Sequence, residues 1–183
     1  MTRLFIDDAG WLQSVEVIRS PNFDARPADS IIKLVVVHGI SLPPGEFGGG
    51  HIRDFFCNNL DVAAHGYFDS ICEMKVSAHC LVERDGKILQ FVSFLDRAWH
   101  AGESEWMGER ACNDFSIGIE LEGCDDQAYT EDQYSSLANL VASLLGKYPG
   151  IGKDAIVGHS DIAPGRKTDP GLAFDWEKLR RFV

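Results

Sequence analysis

The run Ile31-Ile32-Lys33-Leu34-Val35-Val36-Val37 constrains this chain more than any other stretch. β-branched side chains are stiff at χ1, lose freedom in a helix and pack well on a pleated surface. Because the run is almost continuously apolar rather than alternating, it reads as a central strand covered on both faces. Such a strand delivers His38 at its C-terminal end, where a sheet presents side chains to a cleft built from loops. The segment 39–50 that follows contains Pro43, Pro44, Gly45, Gly48, Gly49 and Gly50 and reads as a loop.

The other elements follow from local patterns. Residues 51–60 place Ile52, Phe55 and Phe56 at helical spacing. Strand-like segments at 76–83 and 87–93 flank Asp85-Gly86, a hairpin signal because glycine accepts positive φ. In 116–122, Ile117, Ile119 and Leu121 share one face, while Ser116, Gly118, Glu120 and Glu122 share the other. The glycine beside Glu120 predicts open space for a ligand above that face. Thr130 with Gln133 forms a capping-box signature, and Tyr134, Leu137, Leu140, Val141, Leu144 and Leu145 continue at helical spacing as far as Tyr148-Pro149. Ala155 to Gly158 predicts a short strand ending at His159, 160–171 a loop, and 176–183 a closing helix. Hairpin pairing mixed with strand–helix–strand crossings predicts a mixed α/β fold, with a central mixed sheet flanked by helices.

At 183 residues the chain suits one domain, 1–183, in which folding buries roughly 70% of the unfolded surface. The formal net charge of -11 argues against a nucleic-acid partner, because phosphate binding needs a basic surface. No apolar stretch reaches the roughly 18 residues of a membrane span. The first eight residues lack the apolar segment of a secretory signal, so a chain starting natively at Met1 is expected in the cytosol. Five scattered cysteines, Cys57, Cys72, Cys80, Cys112 and Cys124, give neither a disulfide framework nor a zinc ribbon, and are expected reduced and mostly buried.

Six histidines are present, at 38, 51, 65, 79, 100 and 159. His38 and His159 stand out because both end apolar strands. A carboxylate from the rigid polar segment Arg166-Lys167-Thr168-Asp169-Pro170 would complete a set of two imidazoles and one acid, leaving Zn²⁺ a fourth position for water. Asp161 lies close by as another acid. His79 precedes Cys80, but neighbours along a strand point to opposite faces, which places the pair badly for a thiol nucleophile and its base.

Five blocks in order along the chain carry a resemblance: 36–45 (VVHGISLPPG), 76–80 (VSAHC), 97–102 (RAWHAG), 112–123 (CNDFSIGIELEG) and 158–171 (GHSDIAPGRKTDPG). They resemble the zinc amidases that cleave N-acetylmuramoyl-L-alanine, a family that includes phage amidase-lysozymes and peptidoglycan recognition proteins. The likeness is to its cytosolic branch, which acts on 1,6-anhydro-N-acetylmuramyl-L-alanine. The resemblance implies His38, His159 and Asp169 as zinc ligands, Glu120 as the catalytic acid/base and Lys167 as the cation facing the developing oxyanion. His79 and His100 match family positions that are not metal ligands, with Trp99 able to pack on a sugar face.

The implied activity is zinc-dependent hydrolysis of the anhydromuramyl–L-alanine amide in cytosolic muropeptides, small-molecule substrates of cell-wall recycling. Two other readings are an amidase of intact wall peptidoglycan and a non-catalytic muropeptide-binding module. A monomer is expected. The stem peptide is anionic, so Lys75, Arg110 and Arg166 are candidates for a local basic patch. Three departures bear on substrate contacts. Gly39 stands where close relatives usually carry Asn, and Lys75 where they carry Arg. Ala111 likewise replaces an Arg, with Arg110 one place earlier. Only Arg offers a carboxylate a bidentate fork.

Overall fold

The fold is given by a computed structural model that describes residues 4–182. Met1 to Arg3 and Val183, which the N-terminal and closing-helix readings include, lie outside the described residues. In chain order the elements are β1 (Glu16–Val17), β2 (Phe23–Ala25), β3 (Leu34–Ile40), α1 (His51–Phe56), β4 (Cys80–Val82), β5 (Ile88–Gln90), β6 (Asp96–Ala98), β7 (Glu105–Trp106), β8 (Glu109–Arg110), β9 (Ser116–Glu122), α2 (Glu131–Lys147), β10 (Ile156–Gly158), α3 (His159–Ile162) and α4 (Trp176–Arg180).

Six strands form one sheet in the order β1-β5-β4-β9-β3-β10. Its β4–β5 pair is antiparallel and every other neighbouring pair is parallel, so the sheet is mixed as expected. Gly86, at φ 82°, turns the β4–β5 hairpin. The capping box of α2 is formed in both directions: Thr130 Oγ1 accepts from Gln133 N at 3.1 Å, and Thr130 N donates to Gln133 Oε1 at 3.0 Å.

β3 and β9 pair along their full lengths, from Leu34 opposite Ser116 to Ile40 opposite Glu122. This ladder shifts the strand relative to its apolar run. Ile31 is 67% exposed, while Gly39 and Ile40, expected in the loop, are paired strand residues. His38 therefore lies two residues inside β3. One hydrophobic cluster joins Val35, Val37, Ile117, Ile119 and Leu121 to Leu137, Leu140, Val141 and Leu144 of α2. A second gathers Ile52, Phe55 and Phe56 of α1 with Leu42, Leu81, Leu89 and Phe91. The central strands are thus covered on both sides.

Three further expectations need correction. The helix expected over 51–60 stops at Phe56, and Asn58 takes a positive φ of 60° that ends it. β10 stops at Gly158, and His159, expected to end the strand before a loop from 160, opens one turn of helix in which the Asp161 carboxylate accepts the Gly158 N–H at 2.7 Å. All five cysteines are free as expected, but only Cys80 and Cys112 are buried; the other three are partly exposed.

Candidate metal centre

His38, His159 and Asp169 come together at the C-terminal ends of β3 and β10. His38 Nδ1 lies 3.0 Å from His159 Nδ1 and 3.2 Å from Asp169 Oδ2, and His159 Nδ1 lies 3.1 Å from the same oxygen. Among the described residues, these three make up the one cluster of metal-ligating side chains. Tetrahedral donors about 2.0–2.1 Å from a zinc ion stand roughly 3.3 Å apart, so the triangle would open by a few tenths of an ångström to hold one. Asp161, spent on capping α3, is not part of it.

The second nitrogens explain the orientation. His159 Nε2 lies 3.0 Å from the carbonyl of Ala101, which only accepts, so Nε2 carries the proton and Nδ1 presents its lone pair to the cluster. A ligand at His38 Nδ1 likewise needs its proton on Nε2. Its acceptor is in place: His100 Nδ1 at 2.9 Å, while His100 Nε2 lies 3.1 Å from Ser116 Oγ. Two lone pairs and a carboxylate oxygen then converge within 3.2 Å, an arrangement that a cation relieves.

Burial, and then the neighbouring His159, push His38 down to about 4, so it stays neutral near pH 7 as a ligand must. Burial alone would raise Asp169. In the metal-free protein, a proton on Nδ1 of His159 or His38 makes a hydrogen bond to the carboxylate that outweighs burial and holds it below the ordinary range.

The resemblance marks His100 only as a position that is not a metal ligand. In the fold its ring lies over Gly118, where a methyl group would collide with it. The space predicted above that glycine is therefore filled by an imidazole. The backbone N–H groups of His100 and Ala101 both donate to Asn113 Oδ1, at 3.1 and 2.8 Å, and Trp99 N donates to Ser77 Oγ at 3.1 Å. His79 lies outside the metal-ligating cluster and just before β4: fully buried, it accepts from Gly118 N at 3.0 Å through Nδ1, and its Nε2 lies 3.1 Å from the Asp96 carbonyl.

Glu120 pairs in register with His38, so both project from the same face of adjacent strands. Its Oε2 is buried without a hydrogen-bond partner. Burial first, and then the charge of Asp169, push its carboxyl well above the ordinary range, with Lys167 opposing them. A cleft of about 170 Å³ brings Glu120 and Lys167 together with the three clustered residues, and Trp99, Phe55 and Met74 supply apolar wall.

The remaining candidates sit further out. Gly39 contributes backbone to the cleft, but its side-chain direction, opposite to that of His38, faces Tyr129. Lys75 is exposed between the cleft-lining Met74 and Val76. Arg110, paired with Glu105 at 3.3 Å, and Arg166 line a separate hollow beside Gly102 and Ala163. Arg166 donates to the Ala101 carbonyl at 2.6 Å, the same oxygen that His159 uses.

Comparison with known proteins places the fold and the family. The chain is 54% identical over 171 residues to the 1,6-anhydro-N-acetylmuramyl-L-alanine amidase AmpD of Haemophilus influenzae, covering 93% of each. Its fold superposes on a crystal structure of a selenomethionine AmpD derivative with a TM-score of 0.94 at 52% identity, over 98% of this chain and 99% of that one. AmpDh3 from Pseudomonas aeruginosa, solved in complex with anhydromuramic pentapeptide, is 30% identical with a TM-score of 0.61, over 82% of this chain and 59% of that one. Residues 28–172 match the family's own sequence pattern, and the chain belongs to the N-acetylmuramoyl-L-alanine amidase family.

Proposed function

We propose that this protein hydrolyses the amide between the lactyl carbonyl of 1,6-anhydro-N-acetylmuramic acid and the amine of L-alanine, with zinc held by His38, His159 and Asp169. The observation that carries the reading is the convergence of two imidazole Nδ1 atoms and one carboxylate oxygen within 3.2 Å, in one cleft with the unpartnered Oε2 of Glu120. Bound there, the ion supplies Lewis acidity, polarising an acyl oxygen and drawing the pKa of a water toward neutrality.

Glu120 Oε2 takes a proton from the attacking water and passes it to the leaving alanine nitrogen. Its carboxyl, raised by burial, is suited to hold that proton between the two transfers. Lys167 offers a compact positive charge to the oxyanion that develops on attack. Trp99 gives the sugar an apolar face, with the Gly39 backbone beside it. Stem-peptide carboxylates fall to Lys75 at the rim and to the hollow of Arg110 and Arg166. Water oxygen ends on the lactyl carboxylate, and the C–N bond is the one broken.

In this reading residues 1–183 act as one amidase domain in a monomer. No helix among the described residues is long and apolar enough to cross a membrane. The proposed substrates are small cytosolic muropeptides rather than intact wall. Presenting the zinc-loaded protein with 1,6-anhydromuramyl-tripeptide and, separately, with insoluble peptidoglycan tests this by mass spectrometry. Release of free tripeptide from the first, with little from the second, is expected. Zinc-loaded protein that cuts only the wall, or only binds, overturns the assignment.

A further inference from the structure

The carboxylate of Asp169 reaches the cluster from a segment that bends around the ends of β3 and β10. Pro170 lies on the far side of the sheet, against Gly158 and Gly39. Its carbonyl accepts a hydrogen bond from the Tyr129 hydroxyl at 2.9 Å. Tyr129 is only 5% exposed, and its ring meets Phe174 edge-on at 5.4 Å. A hydroxyl so enclosed needs a partner, and here that partner is the residue next to Asp169.

Two glycines make room for the ring. A methyl group on Gly39 would collide with the Tyr129 hydroxyl, and one on Gly123 with its ring edge. Gly39 shares a register level with Leu121, so the slot opens on the face occupied by α2, opposite to that of His38. We propose that Tyr129 is a positioning residue for Asp169. Seated in the slot left by Gly39 and Gly123, its hydroxyl holds the Pro170 carbonyl and thereby fixes the third corner of the metal cluster. The departure at position 39 then has a structural meaning, because a missing side chain admits the hydroxyl. Main-chain bonds brace the same stretch, from Ser160 N to the Asp169 carbonyl and from Ala173 N to the Asp125 carbonyl, both at 3.0 Å. Tyr129 adds a tie from across the sheet.

The inference rests on the zinc-ligand reading above, and the experiment separates the two. Zinc affinity is measured by chelator competition on wild type, Tyr129→Phe, Gly39→Ala, the double variant and Asp169→Ala, with the visible spectrum of each Co²⁺-substituted protein. Outer-shell partners of metal ligands are typically worth about 10–100-fold in affinity. Tyr129→Phe, which keeps the ring, is expected to weaken zinc binding about tenfold and to change the Co²⁺ bands toward those of Asp169→Ala. Gly39→Ala should do the same. When combined with Tyr129→Phe its added effect should shrink, because both changes remove one hydrogen bond. If Asp169→Ala leaves affinity unchanged, the ligand reading itself fails. If Asp169→Ala weakens binding but Tyr129→Phe lowers only the melting temperature of metal-free protein, with affinity and Co²⁺ spectrum intact, Tyr129 is merely structural and the proposal is overturned.

Discussion

Replacing His100 with Ala tests how the metal cluster is oriented. The imidazole gives His38 Nε2 an acceptor at 2.9 Å, and His38 is 1% exposed, so water cannot easily replace it. A buried donor left unpaired costs about 1–3 kcal/mol. If the whole cost falls on the tautomer that presents Nδ1, zinc affinity drops about 5–150-fold, which overlaps the range typical of outer-shell partners. His100→Asn is the control, because its side-chain oxygen stands off Cβ much as Nδ1 does. It should recover most of the loss. Gly118→Ala should reproduce the defect without touching either histidine, since the added methyl displaces the ring. Chelator competition gives the affinities, and ¹⁵N shifts of the His38 ring report which nitrogen carries the proton. Affinity within twofold of wild type in His100→Ala, with the Nε2–H tautomer still dominant, would refute the reasoning.

Glu120→Gln removes the proton acceptor but not the volume, and should cut turnover by about 10²–10⁴-fold while zinc stays bound, as product assays and metal analysis will show. Lys167→Met should lower kcat about 10²–10³-fold with a smaller change in KM, read from steady-state kinetics on anhydromuramyl-tripeptide. His79, pushed down to about 3 by burial and then by Arg26, stays neutral in the fold, whereas the unfolded chain takes up a proton below about pH 6.5. Its contribution to stability is therefore complete above pH 6.5 and is lost as pH falls toward 3, at up to about 1.4 kcal/mol per pH unit. His38 acts in the same direction, so urea unfolding of metal-free wild type against His79→Gln isolates the term. Parallel pH profiles for the two proteins would contradict it.

What the sequence revealed were features set by local pattern. The capping box at Thr130 and Gln133, the Asp85-Gly86 hairpin and the alternation of 116–122 each predicted their element because propensity and burial agree there. Strand ends were less legible. Gly39 and Ile40 look like the start of a loop, yet pairing with Leu121 and Glu122 keeps them in β3. α3 depends on one capping bond from Asp161, in a segment rich in turn residues. At the site, strand-end placement singled out His38 and His159. The role of His100 stayed hidden because it depends on a long-range fit over Gly118, and a missing Cβ looks the same whether a ligand or a side chain fills the space. The direction of Gly39 was readable from strand alternation once β3 was known to include it. Arg166 looked like a free cation, but its bond to the Ala101 carbonyl comes from a chain reversal that no local pattern announces.

The central claim is that one metal, held by His38, His159 and Asp169, drives amide cleavage. Titrating zinc into metal-depleted protein while measuring peptide released from 1,6-anhydromuramyl-tripeptide tests it most directly. Turnover should rise linearly from near zero and level off at about one equivalent per chain. Undiminished turnover in the absence of metal, or the same one-equivalent plateau in Asp169→Ala, would contradict the account.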